Sequence, residues 1–161
     1  MNVLKFGGTS VGSAENIKKV IEIVKSSSEN DQVAVVVSAV GGITDKLMRA
    51  SQKAIENDLN YKNDFNKLKE QHIEIMEGLL SGSTLTDTKD VILEKLSELE
   101  RLLDGIFLIN ELSPKTTDKL LSFGELMSSL IIFEAMQEHG LNVQLKNSQN
   151  LIVTDSNFTN A

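Results

Sequence analysis

Lys5-Phe6-Gly7-Gly8-Thr9-Ser10 is the stretch that decides the fold, because an apolar segment precedes it and a helical pattern follows it. Val3, Leu4 and Phe6 suit a short buried strand. The two glycines permit positive φ angles and let backbone N–H groups approach a ligand closely. Lys5 adds a positive charge at the strand's end, and a helix N-terminus behind the hydroxyls favours anions. The stretch therefore predicts a phosphate cradle.

The spacing of this cradle differs from two common phosphate-binding motifs. Gly7-x-x-x-x-Gly12 has the glycine spacing of a P-loop, but Ser13 stands where that motif has lysine. The pattern is not G-x-G-x-x-G either, so it gives little support to a dinucleotide site. On spacing alone, an ordinary glycine turn between a strand and a helix remains the alternative.

Length and composition indicate one globular domain. The chain has 161 residues, of which 40% are hydrophobic and 24% charged. It has no cysteine, no apolar run of membrane-spanning length and no N-terminal signal pattern, so we expect a cytoplasmic protein without disulfides or membrane contact. The net charge of −7 argues against a general nucleic-acid surface, whereas a local phosphate site needs only a few groups.

The pattern after the first glycines predicts a βαβ unit. Ile17, Val20, Ile21 and Val24 recur at helical spacing. Residues 33–38 are mostly apolar and β-branched, as in a strand that is covered on both faces. The carboxyl ends of two parallel strands open on the same sheet edge, where ligands of open α/β sheets bind.

A second glycine turn follows at that edge, in the sequence Ser38-Ala39-Val40-Gly41-Gly42-Ile43-Thr44-Asp45. Two glycine turns beside hydroxyls and helix starts predict one combined site. Thr44 or Asp45 is also well suited to cap the next helix, so a simple capping role for Thr44 is the alternative.

Residues 44–139 read almost wholly as helix, and residues 141–145 are expected to return as a strand. Two apolar stripes predict packed helix faces rather than a cofactor site. The stripes are Phe65, Leu68, His72, Ile75, Met76 and Leu79, then Ile92, Leu96, Leu99, Leu103 and Ile106. We interpret His72 as a hydrogen-bonded core residue rather than a ligand. No spacing of His, Asp or Glu indicates a dedicated metal site.

Glu125 lies within a segment that is apolar nearly all round and that starts after Ser113-Pro114. We expect a buried helix, in which a carboxylate needs partners, a raised pKa or a site mouth. Gly124 costs a helix about 1 kcal/mol relative to Ala, which makes sense if something approaches the backbone closely. The alternative is a partly exposed glutamate near the helix start.

Three segments together resemble the aspartate kinases of the amino-acid kinase superfamily. They are Lys5-Phe6-Gly7-Gly8-Thr9-Ser10-Val11, Val37-Ser38-Ala39-Val40-Gly41-Gly42-Ile43-Thr44 and Leu121-Ser122-Phe123-Gly124-Glu125, and their order and spacing match as well. The ending from Leu151 to Phe158 is also similar, so the resemblance covers the whole chain. Residues 105–114 look most like the bifunctional aspartate kinase–homoserine dehydrogenases.

The resemblance implies the parallel-sheet α/β fold of amino-acid kinases, here its N-terminal part with a largely helical insertion. It divides the chain into a βαβ start over 1–43, a helical region over 44–139, and a return strand and end over 140–161. In the family the adenine-binding half and regulatory domains follow. We therefore expect the 161 residues alone to be inactive.

The family phosphorylates the side-chain carboxylate of L-aspartate with ATP and Mg²⁺, the first step towards lysine, threonine and methionine. The resemblance implies a cytoplasmic homo-oligomer that acts on aspartate and ATP, without nucleic-acid or membrane partners. A non-catalytic aspartate- or phosphate-binding module derived from this fold is the alternative.

The implied site residues fall into two groups. Lys5 is the catalytic residue, and the phosphate contacts are Lys5, Gly7, Gly8, Thr9, Ser10 and Ser38. Thr44 and Glu125 would hold aspartate, and no residue is assigned to a metal. Asn147-Ser148-Gln149 replaces the family's acid-small-arginine triplet, so any contact made by those charges is in doubt.

Overall fold

The fold is known from a computed structural model that describes residues 1–155 and 157–159. Strand β1 spans Asn2–Phe6 and strand β2 spans Val33–Val37. They pair in parallel with Lys5 opposite Val36, and helix α1 (Ala14–Ser28) connects them. The predicted βαβ unit is therefore confirmed.

Four helices form the layer that packs against this unit. They are α2 (Ile43–Ile55), α3 (Tyr61–Leu79), α4 (Gly82–Ile109) and α5 (Pro114–Glu138). Helix α2 packs on α3 and α4, and α4 packs on α5. Almost the whole of residues 44–139 is helical, as the sequence predicts.

The core consists of the apolar stripes read from the sequence. The four stripe residues of α1 are buried, and so are all the stripe residues predicted on α3 and α4. A helix with one apolar face gains most of its stability by burying that face against a neighbour. The 3.6-residue period is therefore enough to identify these contacts in advance.

The sheet is covered on one face, not on both as predicted for β2. Leu4 and Val35 pack against the helical core. On the other face, the side chains of Val3, Lys5 and Val36 are exposed, Val36 to 48%. The prediction was wrong because a continuous apolar run shows only that both faces of a strand are apolar. It does not show that other elements cover both faces, and among the described residues only one face is covered.

The return strand predicted over residues 141–145 is absent. This segment has no regular secondary structure, although Leu141 and Val143 are half-buried against the core. Their alternation suggested a strand, but a strand also needs a neighbour for its hydrogen bonds, and no described strand pairs with it. A short 3₁₀ turn, Ser148–Asn150, follows. Residues 156, 160 and 161, at the end of the predicted C-terminal segment, lie outside the described residues.

Helix α5 begins where the sequence predicts. Pro114 occupies its first turn, and the Ser113 hydroxyl accepts a hydrogen bond from the Thr116 N–H at 3.2 Å. Among the described helices α5 is long and apolar enough to cross a membrane, but half of its most apolar window is buried inside the protein. That burial is typical of a core helix.

Candidate functional site

Two glycine loops meet at the carboxyl edge of the sheet. We call residues 7–12 the first loop and residues 39–42 the second. A Cβ atom on Gly8 would lie 3.2 Å from the Ala39 carbonyl oxygen, and one on Gly41 would lie 3.1 Å from the Gly8 carbonyl oxygen. A side chain at either position would therefore need the facing backbone to shift by a few tenths of an ångström. Of the glycines in these two loops, Gly42 in the second loop has a positive φ, of +77°.

The first loop uses part of its own hydrogen-bonding capacity. The N–H groups of Ser10 and Val11 both donate to the Gly7 carbonyl, at 2.9 and 3.3 Å. The N–H groups of Gly8 and Thr9 have no acceptor among residues 1–155 and 157–159. Two backbone donors, together with the exposed Ser10 hydroxyl, are thus available to an anion.

Helix α1 starts later than the cradle prediction assumed. It begins at Ala14, and the hydroxyl of Ser13 accepts from the Asn16 N–H at 3.2 Å. The Asn16 side-chain amide in turn donates to the Thr9 carbonyl at 3.1 Å. The bond to Ser13 therefore satisfies one of the unpaired N–H groups at the helix start. The first turn of α1 stabilises the loop through the Asn16 side chain and does not lie directly behind the loop hydroxyls.

Lys5 lies one residue before the end of β1, on the open face of the sheet. Its side chain is exposed and forms no ion pair with any residue that the structure describes. A lysine with no protein partner keeps its full charge for an anionic ligand. Gly7 follows two residues later, with open space where a side chain would stand.

Helix α5 docks directly on the end of β2. The Ser38 N–H extends the strand ladder by donating to the Phe6 carbonyl at 3.1 Å. The buried Ser128 hydroxyl donates to the Ser38 carbonyl at 2.7 Å. A Cβ atom on Gly124 would lie only 2.8 Å from the Cβ of Ala39. Glycine at position 124 therefore permits the close approach of α5 to Ala39. The destabilising effect of a glycine inside a helix had suggested such an approach.

Glu125 is exposed, so the expectation of a buried carboxylate is wrong. Gly124 lies on the buried face of α5, whereas Glu125, the next residue, lies on its exposed side. Glu125 Oε1 accepts a hydrogen bond from the Ala39 N–H at 3.3 Å. Its side chain also lines a shallow cavity of about 300 Å³ together with Asp118, Ser122 and Thr159. Glu125 therefore has a hydrogen-bond partner at the surface of the protein.

Thr44 is the second residue of α2 and does not cap it. The N-cap is Gly42, which has no side chain to offer, so the alternative in which Thr44 or Asp45 caps the helix is wrong. The left-handed backbone at Gly42 starts the helix two residues earlier than a cap at Thr44 would. The side chain of Thr44 is exposed, which leaves its hydroxyl available to a ligand.

The structure joins some of the predicted residues and not others. Ser38, Glu125 and the first loop are linked through the second loop. No hydrogen bond or ion pair joins Lys5 or Thr44 to Glu125 among the described residues. Sequence reasoning missed Ser128, which has no signal within an apolar helix, and the role of the Ala39 N–H, which depends on a contact between distant segments.

Comparison with known proteins identifies the family. The Amino acid kinase family matches residues 1–157. The chain belongs to the amino acid kinase family.

The relatives of the chain include several aspartokinases. The aspartokinase of Candida albicans is 36% identical over 97% of the chain, and the bifunctional aspartokinase/homoserine dehydrogenase of Buchnera aphidicola is 29% identical over 98%. The structure of E. coli aspartokinase III in complex with aspartate and ADP superposes on 89% of the chain with a TM-score of 0.77 and 29% identity. The chain spans 29%, 20% and 30% of these proteins, respectively.

His72 is a core residue, as predicted. It is fully buried, and its Nδ1 lies 2.8 Å from the Leu68 carbonyl oxygen. A carbonyl only accepts, so Nδ1 carries a proton. Nε2 has no hydrogen-bond partner among the described residues. Burial lowers the pKa of His72, against a smaller raising effect of the Leu68 hydrogen bond.

Proposed function

We propose that the chain forms the aspartate-binding and phosphate-binding part of an aspartate kinase. One observation carries the proposal: a carboxylate, Glu125, is hydrogen-bonded to one of two interlocked glycine loops in a chain that resembles aspartokinases. The loops provide backbone donors for phosphate, and the carboxylate provides an anion for the ammonium group of an amino acid. A site for both partners of a phosphoryl transfer is thus placed on one sheet edge.

In the proposed reaction, a side-chain carboxylate oxygen of L-aspartate forms a bond to the γ-phosphorus of ATP. The bond between that phosphorus and the bridging oxygen breaks, and ADP leaves. The products are 4-phospho-aspartate and ADP. Little covalent work falls to the protein, because such transfers depend on positioning and on neutralising charge.

The phosphate side of the site is assigned to the end of β1 and to the first loop. The Lys5 ammonium is exposed and unpaired among the described residues, so it is free to neutralise charge on the transferring phosphate. Gly7 and Gly8 let the backbone come close, and the N–H groups of Gly8 and Thr9 are the available donors. Ser10 contributes its hydroxyl.

We assign Ser38 to the phosphate side of the site and Thr44 to its aspartate side. Ser38 ends β2, directly before the second loop, and its backbone is fixed on both sides by the bonds to Phe6 and Ser128. Thr44 follows the same loop with a free hydroxyl, suited to a polar group of aspartate. The exposed carboxylate of Glu125 is assigned to attract the ammonium group of the substrate.

Magnesium would reach this site on the phosphates of ATP. The described residues contain no group of three His, Cys, Asp or Glu side chains that could hold a metal ion. Bound Mg²⁺ supplies positive charge to the phosphate oxygens. The biosynthetic pathway, a homo-oligomeric state and a cytoplasmic location remain predictions from the sequence.

The test is substrate-dependent release of ADP by the complete gene product. We expect turnover with L-aspartate and almost none with N-acetyl-L-aspartate, because the acetyl group removes the ammonium charge that Glu125 binds. L-asparagine is the second control, since it lacks the acceptor carboxylate. Aspartate binding without turnover would contradict the kinase and favour the non-catalytic module.

A further inference from the structure

We propose that Gln71, on α3, is a positioning residue that orients the second glycine loop, with Lys46 of α2 holding its amide. The inference rests on the proposed function, because it concerns the loop that carries the aspartate side of the site. Gln71 touches neither of the predicted ligands. It would act through the backbone of Gly41 and Gly42.

The contacts form a chain from α2 to α3 and back to the loop. The Lys46 ammonium donates to Gln71 Oε1, and Gln71 Nε2 donates to the Gly41 carbonyl oxygen at 3.1 Å. Both side chains are half-buried. A charge at one end of an amide polarises it, so Lys46 strengthens the bond that the other end makes to Gly41.

The bond to Gly41 also fixes the direction of the next N–H group. The described backbone has no cis peptide, and in a trans peptide the carbonyl and the following N–H point in opposite directions. With its carbonyl oxygen held towards α3, the Gly41–Gly42 peptide points the Gly42 N–H away from α3. That N–H has no acceptor among the described residues, and Gly42 is exposed with open space around it.

This orientation matters because Gly42 precedes α2, the helix that carries Thr44. The N–H groups at a helix start favour negative charge only where they point at the ligand. The second loop also contacts the first, since Gly41 packs against the Gly8 carbonyl. A rotation of the Gly41–Gly42 peptide would therefore disturb both loops.

Three variants of the complete gene product test the proposal kinetically. Gln71→Met keeps the length of the side chain and removes both hydrogen bonds. Gln71→Glu keeps a partner for Lys46 but leaves the Gly41 carbonyl facing an oxygen. Lys46→Met keeps the donor to Gly41 and removes only its polarising charge. Gln52→Met is the control, because the amide of Gln52 bonds to Glu56 on its own helix.

We expect kcat/KM for aspartate to fall about tenfold or more in both Gln71 variants and less in Lys46→Met, with the control unchanged. Gln71→Glu separates positioning from stability, since its new ion pair preserves the melting temperature while the donor to the loop is lost. A purely structural role would lower the melting temperature and leave kcat and KM intact at 25 °C.

A second readout does not depend on activity. The Ile43 N–H donates to the Val40 carbonyl at 3.0 Å and so reports on the second loop. Amide hydrogen exchange at Ile43 should be about tenfold faster in Gln71→Met, with the helices unchanged. Unchanged exchange at Ile43 would overturn the inference. A gene product without aspartate-dependent turnover would contradict the proposed function, and the exchange rates would still decide the role of Gln71.

Discussion

Gly124→Ala tests the close contact between α5 and the second glycine loop. The new Cβ would lie 2.8 Å from the Cβ of Ala39 and 3.3 Å from Cγ2 of Ile43, whereas ordinary contact begins at 3.4 Å. The helix must retreat by about 0.6 Å to relieve the closer of these contacts. Alanine favours the helix by about 1 kcal/mol, but overpacking of this kind costs about 1–3 kcal/mol. We therefore expect a net loss of about 1 kcal/mol in the free energy of unfolding.

The same retreat should weaken the aspartate site. The bond from the Ala39 N–H to Glu125 Oε1 is already 3.3 Å long, so a further displacement breaks it. A hydrogen bond to a charged group contributes about 1.5–3 kcal/mol, and its loss should raise the KM for aspartate about tenfold. Denaturant unfolding and steady-state kinetics on the same protein measure the two effects.

Gly105→Ala is the matched control for this experiment. Gly105 lies inside α4, and a Cβ atom there would meet nothing within 4 Å. Alanine at position 105 should therefore stabilise the protein by up to about 1 kcal/mol and leave the KM for aspartate unchanged. If Gly124→Ala also stabilised the protein with no change in KM, the contact would not require glycine and the reasoning would be refuted.

Three further predictions concern the aspartate site, the core histidine and the isolated chain. Glu125→Gln should raise the KM for aspartate about ten- to hundredfold with little loss of stability, because Glu125 is exposed; an unchanged KM with a lower melting temperature would show a structural role. Burial lowers the pKa of His72 from its usual 6.5, so below pH 6.5 the unfolded chain binds more protons than the folded one. The free energy of unfolding should therefore decrease as the pH is lowered from 6.5, by up to about 1.4 kcal/mol per pH unit. In His72→Leu this part of the pH dependence should vanish, and an identical pH profile would contradict the assignment. The 161 residues expressed alone should not turn over ATP, since they span 30% of aspartokinase III; a coupled assay that found turnover sensitive to Lys5→Ala would contradict this.

Local periodicity predicted most of the fold. The two strands and the helix between them follow from short-range patterns, and the stripes of α3 and α4 are buried residue by residue as predicted. The return strand over residues 141–145 was wrong because a strand depends on a neighbour as well as on its own alternation. The open face of β2 was missed for a related reason, since the sequence of a strand does not show what covers it.

The sequence predicted the glycine turns of the candidate site but not how they contact one another. The glycine turns were found, yet the close contact between Gly8 and Gly41 joins segments far apart in sequence. Glu125 was expected to be buried, because an apolar helix does not reveal which of its residues lies at the rim. Its bond to Ala39 spans 86 residues, and that of Gln71 to Gly41 spans 30. Contacts of such separation have no local signal.

The most direct test of the central claim is to trap the acyl phosphate of aspartate with hydroxylamine, in the complete gene product and in its Lys5→Ala variant. The wild-type protein should form aspartyl hydroxamate only with both ATP and L-aspartate. Lys5→Ala should lower kcat about a hundredfold or more with little change in the KM for aspartate, because its charge acts on the transferring phosphate. The absence of hydroxamate from the wild-type protein, or an intact kcat with only a raised KM in Lys5→Ala, would contradict the account.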